Sequence, residues 1–300
     1  MRTSTRSTRS IARALALVAI GLVIAACGSS ATGSSARPTA TSPASTGGSS
    51  MPGMNMNMEA VPGDGLLTSY AGFRLQPLTA SVPAGQASTY RFRILGADGV
   101  PVTRYQVEQT KLLHFYLVRS DITGFEHLHP TLGSDGTWSV TVTPAAAGSY
   151  RVYTQFDADP AGTVTSLVLS QPLSVTGTPS ADQTLPAASS TASVDGYDLS
   201  LSGTPKAGTT SPLSISFRRD GQPVTDLQPY LDTYAHLTAI HQGTLGFAHL
   251  HPSGAVDGDH GGPTLHFMTD FAQAGDYRLF IQFQTGGVLH TAAVTLAVGA

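Results

Sequence analysis

The chain has 300 residues, with 16 Lys and Arg against 19 Asp and Glu, a formal net charge of −3 and a single cysteine. One cysteine excludes an internal disulfide and any zinc or iron–sulfur site built from several thiolates. A mildly acidic chain is a poor match for a polyanion, so no nucleic-acid partner is expected.

The first 26 residues read as a targeting segment rather than as fold. Arg2, Arg6, Arg9 and Arg13 form a basic region ahead of Ala14–Ala26, an apolar run of 13 residues that is too short to span a bilayer. The run ends in Ile24-Ala25-Ala26-Cys27-Gly28, which resembles a bacterial lipobox. That resemblance implies cleavage before Cys27, lipidation of its thiol, and a membrane-anchored protein on the extracytoplasmic face of the cell membrane. An ordinary secretory signal with a chance cysteine is the alternative. Cleavage removes four arginines and no acid, which moves the net charge from −3 to −7.

Residues 27–67 are expected to be a disordered tether. The stretch 28–50 is built of Ser, Thr, Ala, Gly and Pro with one Arg37, and such a composition cannot offset chain entropy by burial. The tether carries Met51-Pro52-Gly53-Met54-Asn55-Met56-Asn57-Met58, four of the six methionines in the chain. Thioethers are soft ligands that select Cu(I), so Met54, Met56 and Met58 are candidate copper ligands. Chance clustering, or sacrificial oxidation of the thioethers, is the competing account.

The remainder is a tandem repeat. Leu112–Pro130 (LLHFYLVRSDITGFEHLHP) aligns without a gap with Tyr234–Pro252 (YAHLTAIHQGTLGFAHLHP), and both end in His-Leu-His-Pro. Downstream, Gly148-Ser149-Tyr150-Arg151-Val152-Tyr153-Thr154-Gln155-Phe156 matches Gly275-Asp276-Tyr277-Arg278-Leu279-Phe280-Ile281-Gln282-Phe283. The second copy carries about five extra residues between Pro252 and Pro263, in a Gly/Asp-rich loop holding His260. Segments such as Tyr90–Ile94, Trp138–Val142 and Leu213–Phe217 alternate apolar and polar, with Asp98-Gly99 and Asp220-Gly221 as turns. The expected fold is all-β, two tandem immunoglobulin-like β-sandwich domains at 68–176 and 193–300 joined by a linker at 177–192. Tyr150 and Tyr277 look like tyrosine corners, and Trp138 reads as core.

The chemistry rests on histidine. In an extended chain residues i and i+2 share a face, so His127 with His129, and His249 with His251, can aim two rings at one point. If the upstream strand pairs with the motif, His114 and His236 would complete sets of three, a suitable number for copper or zinc with an open position. The second copy adds His290 near its last strand, with only Thr165 near that place in the first copy, so His290 is a candidate fourth ligand there. His241, His260 and His266 read as surface histidines. A structural role competes with the metal reading throughout, because a strand histidine can satisfy its nitrogens on backbone groups.

The quoted segments, the second half above all, resemble a largely uncharacterised family of bacterial exported lipoproteins carrying the His-Leu-His-Pro motif. Those proteins are similar to immunoglobulin-like modules found beside copper-handling genes. The resemblance implies a metal-binding lipoprotein, with copper favoured, zinc as an alternative cofactor, and a copper-handling protein as a partner. A structural or adhesive module without metal is the other reading. No Gly-x-Ser-x-Gly, His-Glu-x-x-His or phosphate-loop motif is present, so an enzyme is not expected. Neutral imidazole is the ligand form, so binding is expected to weaken below about pH 6.

Overall fold

The computed structural model describes residues 64–160, 162–178 and 180–300. Cys27, read above as a lipidation site, and the methionines Met54, Met56 and Met58 lie outside them. The first half contributes eleven strands: β1 (Ser69–Tyr70), β2 (Phe73–Pro77), β3 (Ser81–Pro83), β4 (Ser88–Leu95), β5 (Tyr105–Gln106), β6 (His114–Arg119), β7 (Phe125–Leu128), β8 (Thr131–Leu132), β9 (Thr137–Val142), β10 (Gly148–Ala158) and β11 (Thr165–Thr176). The second half contributes nine: β12 (Thr191–Val194), β13 (Tyr197–Ser202), β14 (Ser211–Arg219), β15 (Gln222–Pro223), β16 (His236–His241), β17 (Phe247–Leu250), β18 (Thr264–Thr269), β19 (Gly275–Thr285) and β20 (Val288–Val298). Among the described residues there is no helix.

Each half is a two-sheet sandwich. In the first, the order β1-β2-β4-β9-β8 faces β3-β11-β10-β6-β7, with β3 running parallel to β11. In the second, β12-β13-β14 with β18 and β15 faces β17-β16-β19-β20. This is immunoglobulin-type topology, in which one sheet carries the first strand, and the opposite sheet ends in a hairpin beside the two longest strands. The alternating positions Tyr90, Phe92 and Ile94 of β4 fill the first core together with Trp138, and Leu213, Ile215 and Phe217 of β14 fill the second. Trp138 is fully buried and donates its indole N–H to the Tyr105 hydroxyl at 3.2 Å. Both tyrosine corners form: the Tyr150 hydroxyl donates to the Ala146 carbonyl at 2.9 Å, and Tyr277 to the Gln273 carbonyl at 3.1 Å.

Some strands are apolar on both faces. All six residues of β6 are buried, a pattern that requires cover on each side of the sheet. Phe115 and Leu117 point into the first core, while Tyr116 and Val118 join a separate apolar cluster. That cluster also contains Tyr153, Val168, Ile240, Phe247 and Phe280, so the outer faces of the two His-bearing sheets pack on each other. The packing is reciprocal. Phe125 stacks on Phe280 at 4.1 Å, and its repeat partner Phe247 stacks on Tyr153, the partner of Phe280, at 5.1 Å. The segments flanking the sheets are tied down as well. Asp64, inside the expected tether, accepts a hydrogen bond from the Phe247 amide at 2.8 Å, and in the expected linker the Gln183 amide donates to Asp121 Oδ2 at 3.0 Å.

Candidate metal centre

Each triad is built by one hairpin. In the first half β6 and β7 pair with Phe115 opposite Leu128 and Tyr116 opposite His127, which sets His114 across from His129 one step beyond the ladder. In the second half Leu237 lies opposite Leu250 and Thr238 opposite His249, which places His236 across from His251. The nitrogens of His114, His127 and His129 can all lie within 4.8 Å of one another, and so can those of His236, His249 and His251. Either triad could hold a metal ion. The two sets meet where the sheets pack, with His114 and His236 ring centroids 6.3 Å apart and His114 and His249 5.9 Å apart.

Hydrogen bonds fix which nitrogen of His127, His249 and His114 carries a lone pair toward the triad. His127 donates from Nδ1 to Gln282 Oε1 at 2.7 Å, while Gln282 Nε2 donates to Thr291 Oγ1 at 3.4 Å, so the amide oxygen is the acceptor. His249 donates from Nδ1 to Gln155 Oε1 at 2.7 Å, and Gln155 Nε2 donates to the Glu108 carboxylate at 3.3 Å. The Nε2 lone pairs of His127 and His249 therefore face their triads. His114 donates from Nε2 to the Glu108 carbonyl at 3.2 Å, leaving its Nδ1 lone pair 3.0 Å from His127 Nε2. Two lone pairs at that distance repel unless a cation lies between them. His129 Nε2, also buried, has no hydrogen-bond partner among the described residues. This donor-poor set fits a metal ion, which takes the neutral imidazole as ligand.

The second triad is similar but is closed differently. His249 Nε2 lies 3.0 Å from His236 Nδ1 and 3.2 Å from His251 Nε2. His236 Nε2 is buried without a well-formed hydrogen bond, although the Tyr230 and Leu231 backbone beside it favours the charged ring. His251 receives the side-chain amide of Gln109, which reaches over from the first half, with Nδ1 at 3.0 Å and Nε2 also in contact. Gln109 and Thr110 form a tight turn with φ of 47° and 67°, closed by the Glu108–Lys111 bridge. The second half repeats that turn with Leu231 and Asp232, both at φ 57°, closed by the Tyr230–Thr233 bridge. A left-handed backbone at residues other than glycine costs roughly 1–2 kcal/mol per residue and marks a position held by its surroundings.

Burial keeps the six rings neutral. Desolvation pushes His114 down to about 4, with the Lys111 charge adding to it and the Glu108 carbonyl opposing it, and desolvation reinforced by the His114 ring pushes His129 to about 3 and His251 to about 4. Desolvation and neighbouring imidazoles hold His127, His236 and His249 well below the usual imidazole range. The ligand form thus persists well under the pH 6 expected for ordinary histidines. Burial also raises the Glu108 carboxyl to about 7, with the Asp157 charge adding to the effect. Tyr116 joins the two sites: its ring stacks on His127 at 4.3 Å, and its hydroxyl lies 3.3 Å from His249 Nδ1.

The sequence reading of His290 is corrected. His290 pairs in register with Phe283 and sits against the Tyr197 and Phe283 rings, away from the outer face that carries the triad. Both of its nitrogens are taken, by Asp195 Oδ2 at 2.8 Å and Thr285 Oγ1 at 3.1 Å. The second triad is therefore not made more complete than the first by His290. His241 fills the place of Arg119 in the repeat and bonds the Ala274 carbonyl at 3.2 Å and Thr244 at 2.8 Å. His266 and His260 are exposed, and His266 bonds Ser214. Gln155 and Gln282 were missed as site residues, although an identical polar residue amid both apolar strands was a visible signal.

The comparisons with known proteins add a family. No curated protein matches the chain. Among solved structures, the Escherichia coli adhesin FdeC is 19% identical with a TM-score of 0.24, over 77% of this chain and 65% of that one. A DUF4785 family protein from Legionella pneumophila is 10% identical with a TM-score of 0.27, over 73% of this chain and 53% of that one. Fibronectin(III)-like modules of Clostridium thermocellum CbhA are 9% identical with a TM-score of 0.19, over 75% of this chain and 94% of theirs. The chain thus spans less than two thirds of the length of the adhesin and of the Legionella protein. The family described as "Domain of unknown function (DUF8832)" matches twice, at residues 69–170 and 192–300, and the chain belongs to that family.

Proposed function

We propose that the protein is a membrane-anchored, extracytoplasmic metal-binding lipoprotein whose cargo is copper. The observation that carries this reading is the first triad, where His114 Nδ1 and His127 Nε2 present lone pairs to each other at 3.0 Å beside His129 Nε2, which has no partner among the described residues. Three neutral imidazoles suit copper or zinc. The methionine-rich tether favours copper, because thioethers select Cu(I). In this reading Cys27 holds the chain at the membrane, Met54, Met56 and Met58 capture Cu(I), and the two triads store it or hand it to a copper-handling partner. The function is binding, not catalysis.

Equilibrium dialysis of the mature chain against Cu(I), Cu(II) and Zn(II) tests this. The expected result is uptake of about two ions more than by a variant with His127→Ala, His129→Ala, His249→Ala and His251→Ala. Equal uptake by the two proteins contradicts it and leaves a metal-free structural or adhesive module as the better description.

A further inference from the structure

We propose that the two triads are assembled in trans, each half supplying the ligands of one site and the glutamine that orients the central ligand of the other. This rests on the metal-binding reading above. Gln155 lies beside His114 in the first sheet, in register with it, yet its Oε1 accepts from His249 of the second half at 2.7 Å. Gln282 lies beside His236 in the second sheet, yet its Oε1 accepts from His127 of the first half at 2.7 Å. The two glutamines occupy the same repeat position, and both are buried. The exchange is therefore a symmetric feature of the interface and not a single chance contact.

The chemistry of this exchange is directional. A ligating histidine gains basicity and a fixed tautomer when its second nitrogen donates to a carbonyl or carboxylate. Here that acceptor is absent from the ligand's own half. A half standing alone would leave its central ring, His127 or His249, free to choose either tautomer, and one of the two presents N–H to the metal instead of a lone pair. Packing the sheets together selects the binding tautomer in both sites at once. Gln155 and Gln282 are thus positioning residues, and the site is competent only in the paired arrangement.

The test uses the full chain in detergent with Cu(I) as the probe, in competition with a chromogenic chelator. Two parents each keep one triad: His114→Ala/His129→Ala retains the second, and His236→Ala/His251→Ala retains the first. Gln155→Met and Gln155→Glu are added to each. In the parent that keeps the second triad, Gln155→Met should weaken Cu(I) binding about 10- to 100-fold, the usual cost of losing such a partner. Gln155→Glu, made together with Glu108→Gln so that the new carboxylate does not face the Glu108 carboxylate, keeps the acceptor and adds charge, and should restore or tighten it. The loss should be at least about tenfold larger there than in the parent that keeps the first triad. Equal losses in both parents, a larger loss at the first triad, or no rescue by Glu overturns trans assembly. A failed fold would not be rescued by the buried charge of Glu, so the rescue separates positioning from stability. If neither parent nor the unsubstituted chain binds Cu(I), the metal-binding reading itself fails, which is distinguishable because the parents are measured first.

Discussion

The two halves carry the same triad on the same hairpin, but they close it differently. In the first, Glu108 offers its backbone carbonyl to His114 and its carboxylate to Gln155, and His129 Nε2 is left without a partner among the described residues. In the second, Tyr230 takes the place of Glu108, and its ring meets His236 edge-on at 5.6 Å. There the outer ligand His251 is covered by Gln109 from the opposite half, whereas Leu231 at the equivalent turn position has no amide to return. The repeat thus fixes where the rings go, and a few unmatched neighbours decide which outer ligand is capped. By this comparison the outer ligand of the second site is capped by a side-chain amide and that of the first is not.

Four experiments sharpen or break the comparison. The largest effect is expected from His127→Ala and His249→Ala made separately. Each removes the central ligand of one triad, so binding stoichiometry measured by titration calorimetry should fall by one ion in both. A variant that loses both ions at once would show that the sites are not separable.

Stability should depend steeply on acid. The six rings have folded-state pKa values lowered below the ordinary 6.5, so the unfolded chain binds more protons as pH falls. The stabilising contribution is fully present above pH 6.5 and is lost progressively as pH drops toward about 3. Chemical denaturation at pH 7 and pH 5 measures this. Saturating copper or zinc should oppose the loss, by about 2.7 kcal/mol at a hundredfold excess over Kd. A variant with His236, His249 and His251 all replaced by Gln should show a shallower acid dependence. An unchanged slope would mean that the rings are not buried against each other as described.

A smaller effect is expected at the cap. Gln109→Ala should raise second-site affinity several-fold by freeing His251, and Leu231→Gln should lower first-site affinity by supplying the missing cover. Opposite signs would refute the distinction between the capped and the uncapped ligand. The smallest effect belongs to the strained turn. Thr110→Gly should stabilise the fold by less than about 1 kcal/mol, since relief of left-handed strain is partly offset by glycine entropy, and Asp232→Gly by less still. Thermal unfolding reads both.

Much of this was legible in the sequence. The repeat, the strand alternation, the turns and both tyrosine corners follow from local pattern, and the hairpin logic put His114 with His127 and His129. Three things were not legible. The face of β20 depends on its register with β19, and that register turned His290 to the core beside Phe283 instead of toward the triad. The packing of one half on the other was signalled only by the all-buried run of β6, which reads equally well as a central strand. The turns at Gln109-Thr110 and Leu231-Asp232 contain neither glycine nor asparagine, so nothing in their composition announced a left-handed backbone. Local preference yields there to tertiary contacts around the site.

The most direct measurement is anomalous diffraction at the copper edge from crystals of the copper-loaded chain. The account predicts two peaks, one bounded by His114 Nδ1, His127 Nε2 and a His129 nitrogen, the other by His236 Nδ1, His249 Nε2 and a His251 nitrogen, each at about 2.0 Å from its ligands. Peaks elsewhere, with both triads empty under saturating copper, would contradict it.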